Sequence, residues 1–272
     1  MKWSFWAALC LGLAMGTGGA LSVQAHEFWF MPEDFTISEG AQVRANLRNG
    51  SHMVGVDLPY LAENLPRYEV VLGDTVTPMV ARMGDFPAVD QAVAGTGLAI
   101  LVAETIDLLV AYDDFTKFKS FAEHKAMPQI ITQHAERGLP ETGFKEAFRR
   151  YTKSLVAIGD GAGSDRAVGL RIEIVALANP YTDDMTGGMP LQVLMDGKPR
   201  VNAQLLLFAT AADGTVTETP FVTDADGQVI VPAKPGTTYL ADSVDIFALP
   251  NSDVAAGPVW HSDWASLTYM VP

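Results

Sequence analysis

Short runs in which apolar and polar residues alternate, each closed by turn-forming residues, most strongly limit how this chain can fold. Val43, Ala45 and Leu47 alternate with polar side chains, and Asn49-Gly50 follows this run. An alternation with a period of two places the apolar side chains on one face of a β-strand, and Asn-Gly is typical of a turn. The pattern predicts a mainly β protein.

The same pattern recurs along most of the chain. Further strands are predicted over residues 68–72, 76–81, 98–102, 170–175, 191–195 and 201–209. The last two of these runs are followed by Asp196-Gly197 and Asp213-Gly214. An Asp-Gly pair between β-rich runs is a strong hairpin signal. Several short strands at this spacing favour β-sandwiches.

One region departs from the period of two, and we predict a helical insertion at about residues 114–158. The first two helices rest on the helical spacing of Phe115 and Phe118 and on Pro128, which suits a first helical turn. A third helix is predicted from about Thr142. Its apolar stripe would be formed by Phe144, Phe148, Tyr151 and Leu155.

A glycine pair marks the predicted domain boundary. Gly187-Gly188 is followed by Met189 and Pro190, and the hairpin signals come after it. We therefore predict an N-terminal β domain over residues 26–185, which contains the helical insertion, and a C-terminal β-sandwich over residues 186–272.

The first 25 residues have the pattern of an export signal. Lys2 precedes an apolar run over residues 6–15, and small residues lead to Val23-Gln24-Ala25. This order predicts a signal peptide cleaved near Ala25 and a periplasmic protein. Cleavage after Ala20 and an uncleaved anchor are the alternatives. No later stretch has the roughly 18–20 apolar residues of a spanning helix, so no membrane span is expected in the mature protein.

Composition excludes several partners and ligands. The 32 acidic side chains outnumber the 18 basic ones, which gives a formal net charge of −14. Nucleic acid is an improbable partner, because its binding depends on Lys and Arg, whereas a negative field concentrates cations. The single cysteine, Cys10, lies in the predicted signal peptide. A metal site in the mature chain must then use nitrogen, oxygen or thioether ligands.

Cleavage after Ala25 would make His26 the first residue. Its α-amine and its imidazole Nδ1 could then chelate one metal ion. Such a nitrogen pair suits Ni²⁺, Co²⁺, Cu²⁺ or Zn²⁺. The alternative is that His26 only follows the alanine of the cleavage site.

The remaining histidines are candidates to complete such a site. His52 follows a predicted strand end, His124 and His134 lie on the helical insertion, and His261 lies near the C-terminus. None has the close spacing of a metal motif, so taken singly each is better explained by a surface or packing role. Possible oxygen ligands are Glu27, Asp57 and Glu104. The G-x-S-x-G elbow, the P-loop and the dinucleotide fingerprint are all missing from the sequence, which favours a non-enzymatic protein.

Several stretches resemble the family of the domain of unknown function 4198. They include residues 25–29 (AHEFW), 134–144 (HAERGLPETGF), 151–156 (YTKSLV), 176–181 (ALANPY) and 264–269 (WASLTY). The resemblance implies an exported β-rich protein whose last segment is an immunoglobulin-like or carboxypeptidase-regulatory-like sandwich. It also implies a periplasmic component of nickel or cobalt uptake, and it carries over to His26, Trp29, Glu104 and His134.

These observations predict a periplasmic protein that binds a divalent transition metal, nickel or cobalt, as the soluble component of an uptake system. The predicted ligands are His26, His52, Glu104 and His134, and the implied partner is an inner-membrane transporter. One alternative is a copper-dependent oxidase or monooxygenase that uses an N-terminal histidine. Another is a structural or adhesive β-sandwich module without a metal.

Overall fold

The computed structural model describes residues 26–272. The predicted signal peptide, residues 1–25, lies outside the described residues. In the described part of the chain, no helix is both long enough and apolar enough to cross a membrane.

The first part of the described chain consists of strands followed by two helices and one long strand. The strands are β1 (Glu27–Pro32), β2 (Thr36–Ile37), β3 (Gln42–Ser51), β4 (Val54–Leu58), β5 (Arg67–Leu72), β6 (Thr75–Pro78), β7 (Val89–Ala92), β8 (Gly97–Glu104), β9 (Leu108–Tyr112) and β10 (Phe144–Ile158). The helices α1 (Phe115–His124) and α2 (Gln129–Glu136) lie between β9 and β10.

The second part of the chain contains further strands. They are β11 (Ile172–Ala176), β12 (Met189–Met195), β13 (Lys198–Pro199), β14 (Gln204–Thr210), β15 (Val216–Val222), β16 (Gln228–Val231), β17 (Thr237–Ala248) and β18 (Trp260–Val271). Mainly β structure with a small helical insertion is thereby confirmed, as are the hairpin turns at Asp196-Gly197 and Asp213-Gly214.

One large sheet runs through the whole molecule. Its strand order is β15-β14-β17-β18-β10-β8-β5-β6, and β2 and β9 also pair with β10. β10 and β18 lie side by side in parallel, from Glu146 opposite Trp260 to Ser154 opposite Thr268. These two strands join the earlier and later parts of the chain.

Two four-stranded sheets cover opposite faces of the large sheet. The sheet of β1, β3, β4 and β7 packs against one face, where Val70 and Leu101 are buried. The sheet of β11, β12, β13 and β16 packs against the other face, where Val71 and Ile100 are buried. Neighbouring residues of one strand point to opposite faces, so the chain forms three β layers with two cores.

The helices extend the first of these faces. Asp114 caps α1 by accepting a hydrogen bond from the backbone N–H of Thr116. Phe118 of α1 and Ile130 of α2 are buried in a cluster that also contains Trp260 of β18. The helices therefore form a lid over the end of the large sheet where β9, β10 and β18 meet.

The third predicted helix is wrong, because residues 144–158 form strand β10. The supposed apolar stripe is divided between two faces of a sheet. Phe144 and Phe148 pack under the helices, whereas Tyr151 and Leu155 belong to the core on the other side. A strand buried on both faces has apolar residues in nearly every position, so its period of two is hidden. The helical insertion therefore ends with α2 at Glu136 and does not extend to residue 158.

The turn predicted at Asn49-Gly50 is also displaced. β3 continues to Ser51, and the turn consists of His52 and Met53. Gly50 lies opposite Gly55, and a Cβ on Gly50 would lie 2.1 Å from the carbonyl oxygen of Val54. The glycine is thus required by close contact between two strands.

The boundary between residues 185 and 186 stays a prediction. The large sheet contains strands from both sides of it, since β18 pairs with β10. One core likewise combines residues of β8 and β10 with residues of β12, β14 and β18.

Candidate functional site

The four predicted metal ligands lie in different surroundings. Among the described residues, no hydrogen bond or ion pair connects any two of them. Whether they share a metal stays a prediction, and the role of each depends on its own neighbours.

His134 is a buried residue whose two ring nitrogens are both occupied. Its Nδ1 accepts a hydrogen bond of 3.0 Å from the indole Nε1 of Trp260, and its Nε2 lies 3.0 Å from the carbonyl oxygen of Pro140. Nε2 must therefore carry the proton and donate it to Pro140. Burial lowers the pKa of His134, which keeps the ring neutral. A metal would have to break one of these bonds.

Glu104 lies at the end of β8, beside a guanidinium group. Its Oε1 accepts a hydrogen bond of 3.0 Å from Arg149, which also donates to Asp107 over 2.8 Å. Glu104 lines a polar cleft on the face of the large sheet opposite the helices.

His26 precedes β1 at the edge of a buried group of charges. Burial lowers the pKa of His26, and the nearby Arg150 and Lys125 act in the same direction although Glu27 opposes them. The neutral imidazole is therefore favoured. This is the form that binds metals.

Beneath His26, a lysine connects two buried carboxylates. The Nζ of Lys125 donates to Glu27 and to Asp242 over 2.8 Å in each case. Burial alone would lower the pKa of Lys125, but the charges of Asp242 and Glu27 raise it. Burial raises the pKa of Asp242 to about 6 despite this lysine.

The buried charges continue toward β10. Burial raises the pKa of Glu146 to about 7, and its carboxylate accepts hydrogen bonds from Tyr112 and Ser262. Burial also lowers the pKa of Arg150 to about 10. In the described chain, Nε of Arg150 and one oxygen each of Glu27 and Asp242 have no hydrogen-bond partner. This group is enclosed by protein and holds β1, α1, β10 and β17 together.

The exposed side of the same region has a different arrangement. Three side chains meet there, those of His52, His124 and Glu218, and we call them the histidine–glutamate cluster. The Nε2 atom of His52 lies 2.8 Å from one carboxylate oxygen of Glu218, and the Nε2 atom of His124 lies 2.7 Å from the other oxygen. The side chains of His52, His124 and Glu218 are 58%, 40% and 21% exposed. All three side chains are therefore accessible to a ligand from solvent.

An unusual turn holds His52 in place. His52 and Met53 both have positive φ, 55° and 57°, in the two-residue connection between β3 and β4. Such turns favour Asn and Gly, because other side chains crowd the backbone in this conformation. The side chain of Met53 is buried beside Phe208, and its sulfur accepts a hydrogen bond of 3.0 Å from Thr210. The buried methionine anchors the strained turn.

The cluster supplies two imidazole nitrogens and one carboxylate, which is a common ligand set for divalent transition metals. In residues 26–272, no group of three or more His, Cys, Asp or Glu side chains is already arranged to hold a metal ion. The Nε2 atoms contact separate oxygens of Glu218 instead. Coordination would require the side chains to rotate and both rings to give up their Nε2 protons.

Only part of these arrangements can be predicted from the sequence. His52 and His124 are candidates as histidines, whereas Glu218, on the edge strand β15, has no distinguishing motif. Lys125 and Asp242 likewise belong to no motif. Their one sequence signal is weak, namely charged residues beside apolar stretches that the fold later buries.

The comparisons with known proteins are sparse. A family profile described as a domain of unknown function (DUF4198) matches residues 23–244. A comparison with curated proteins finds no match. Among solved structures, the crystal structure of a tetra-tandem repeat in the extending region of a large adhesion protein aligns at 12% sequence identity with a TM-score of 0.18. The alignment covers 89% of this chain and 49% of that one, so it spans about half of the adhesion structure and carries no argument about function.

Proposed function

The chain belongs to the DUF4198 family, and from this premise we propose that it binds a divalent transition-metal ion, nickel or cobalt, as cargo at the histidine–glutamate cluster. The observation that carries the proposal is that His52 and His124, from a hairpin turn and a helix end, contact opposite oxygens of Glu218.

The chemistry of the three side chains suits the binding of a divalent transition-metal ion. Imidazole nitrogen suits nickel, cobalt, copper and zinc, and a carboxylate adds a negative charge that offsets part of the metal's charge. Three protein ligands leave further positions to water or to an acceptor protein. An ion held this way can be released, whereas a fully enclosed ion cannot be passed on easily.

The strained turn gives independent support. A histidine with positive φ costs stability relative to asparagine or glycine, and such strain is frequent at functional sites. If His52 had no role, Asn-Gly would satisfy this hairpin better.

The surrounding charge favours the same ligand class. The chain has a formal net charge of −14, so its field attracts cations. We further propose that the protein acts in the periplasm and delivers the ion to an inner-membrane transporter. The sequence pattern of residues 1–25 and the family resemblance support this part of the proposal.

Calorimetric titration with Ni²⁺ and Co²⁺ tests the site directly. Two variants change the cluster with little change in shape: His52→Asn keeps a residue suited to the turn, and Glu218→Gln keeps the size of the side chain. Each removes one ligand, and we expect affinity to fall by about 100-fold, since even changes next to a metal ligand cost roughly 10–100-fold. Glu104→Gln is the matched control outside the cluster and should bind normally.

The terminal chelate at His26 is the competing site. One further variant distinguishes it from the histidine–glutamate cluster. Intact mass of the exported protein would first establish whether it begins at His26. Adding one glycine before His26 then converts the α-amine into an amide without changing any side chain. If this extension abolishes binding and His52→Asn does not, the metal is held at His26 and the cluster proposal is wrong.

Binding should also weaken as the pH falls. Both histidines must be neutral to coordinate a metal, so protons compete with the ion. Titrations at several pH values should show proton release on binding. An affinity that does not change with pH would contradict coordination by imidazole.

A further inference from the structure

A polar cleft lies on the opposite side of the large sheet from the histidine–glutamate cluster. It has a volume of about 660 Å³, within the range typical of small-molecule sites. Its charged lining includes Glu104, Asp107, Arg171, Asp196, His261 and Asp263. Residues of β18 alternate here: Trp260, Ser262 and Trp264 face the helices, and the two residues between them face the cleft.

Two residues that line the cleft each have a buried polar atom that lacks a hydrogen-bond partner within residues 26–272. The atoms are Oδ2 of Asp263 and Nδ1 of His261. The side chain of Asp263 is 0% exposed and that of His261 is 10% exposed. Leaving such atoms unsatisfied is costly, so both can accept a hydrogen bond from a ligand that carries a donor.

The neighbouring groups do not supply such a donor. Tyr151 lies 3.4 Å from the other oxygen of Asp263, Oδ1. Arg171 approaches Oδ2 to 3.2 Å as an ion pair, but without the geometry of a hydrogen bond. Nδ1 of His261 lies 3.7 Å from Oδ1 of Asp263, which is too far for a direct bond.

The charge of the lining selects the sign of a ligand. The four carboxylates of Glu104, Asp107, Asp196 and Asp263 face two guanidinium groups. Arg149 is already held by two of the carboxylates, Glu104 and Asp107. The side chain of Arg171 is 45% exposed and lies over the ring of Phe247 at 5.1 Å. The cleft therefore retains an excess of negative charge.

We propose that this cleft binds a small organic cation through a primary ammonium group, which donates hydrogen bonds to Asp263 Oδ2 and His261 Nδ1. Nδ1 of His261 lies 3.7 Å from Oδ1 of Asp263, so the imidazole and the carboxylate that carry the two acceptors adjoin each other. His261 can accept because its Nε2 lies 3.4 Å from Asp107 and can direct its proton there. Arg171 would turn aside toward Asp196, which is 3.9 Å away.

Calorimetry with three probes of similar size tests the proposal. 1,4-Diaminobutane has primary ammonium groups, 1,4-butanediol has the same chain length without charge, and tetramethylammonium has charge without an N–H donor. We expect 1,4-diaminobutane to bind and the other two to bind at least about tenfold more weakly, because both the charge and the hydrogen bonds contribute.

Two substitutions should act in opposite directions. Asp263→Asn removes the acceptor charge and should weaken binding of 1,4-diaminobutane about tenfold or more. Arg171→Gln removes the competing cation and should strengthen binding. Asp213→Asn is the matched control, since Asp213 is exposed in the turn between β14 and β15. The melting temperature of each variant establishes that it is folded.

The proposal is overturned if the unmodified protein does not bind 1,4-diaminobutane, if it binds 1,4-butanediol equally well, or if Arg171→Gln weakens binding. The Arg171 variant decides the matter even if Asp263→Asn does not fold. This site and the proposed metal site lie on opposite sides of the large sheet. The Asp263 and Arg171 variants should therefore bind Ni²⁺ normally. Failure of one proposal therefore leaves the other intact.

Discussion

His124 and Lys125 are consecutive residues at the end of α1, yet they belong to opposite kinds of environment. The side chain of His124 is 40% exposed and contacts Glu218, whereas that of Lys125 is 3% exposed and contacts Glu27 and Asp242. Both side chains contact carboxylates, so it is the difference in burial that distinguishes their environments.

The difference shows how to distinguish structural charges from candidate ligands. A buried charge depends on its partners, because no water replaces them when they are removed. An exposed pair has only about 0–1 kcal/mol to lose, so it can exchange a partner for a ligand at little cost. Substitutions of buried charges should therefore change stability most, and substitutions of exposed pairs should change it least.

Lys125→Met should have the largest effect on stability. It leaves the carboxylates of Glu27 and Asp242 buried without their shared cation, and breaking a buried ion pair in this way costs about 3–5 kcal/mol. Chemical denaturation would measure the change in the free energy of unfolding. Lys119→Met is the control, because the 3.9 Å pair of Lys119 with Glu123 is exposed and should change stability by less than about 1 kcal/mol. Equal effects of the two substitutions would contradict the contrast.

Glu146→Gln should change the pH dependence of stability. The pKa of this buried carboxyl is raised from 4.5 to about 7 in the folded protein, so the folded state holds its proton more tightly than the unfolded state. Its contribution is complete below about pH 4.5 and is lost as the pH rises through about 7, which amounts to about 3 kcal/mol. Denaturation at pH 5 and pH 8 should show this loss in the native sequence and not in the variant. A parallel loss in both proteins would refute the assignment to Glu146.

His134→Leu should reduce stability and leave metal binding unchanged. The substitution removes the partner of Trp260 Nε1 and of the Pro140 carbonyl, and an unsatisfied buried group costs about 1–3 kcal/mol. Trp260→Phe removes the same indole bond, so the two changes should be less than additive in the double variant. If His134→Leu abolished Ni²⁺ binding in a folded protein, His134 would be a ligand after all.

His52→Asn should have the smallest effect on stability and a large effect on the metal. Asparagine tolerates positive φ better than histidine, so we expect a gain of at most about 1 kcal/mol in the free energy of unfolding. Metal affinity should fall at the same time. A variant that is clearly less stable than the native sequence would indicate that the pair with Glu218 contributes more than the turn costs.

Local signals predicted the fold well where one face of a strand is exposed. The alternation around Val43 and the hairpin at Asp196-Gly197 are local features, and both were predicted correctly. In β10 the alternation is hidden, because helices cover one of its faces and a second sheet covers the other. Which faces are covered depends on residues far away in the sequence.

The candidate sites follow the same division. The histidines could be identified from the sequence as possible ligands, but no pattern connected His124 with Glu218, 94 residues later. The cleft is similar, because Asp263 and Arg171 lie on strands or loops whose contact depends on the packing of two sheets.

Alternation and turn residues act over a few positions, so the mainly β structure and the helices after Asp114 could be predicted from the sequence alone. The burial of Lys125, the exposure of His124 and the sharing of Glu218 by His52 and His124 depend instead on long-range packing. Sheet order and layer packing bring distant residues together. Burial then determines whether a charged side chain stabilises the fold or is accessible to bind a ligand.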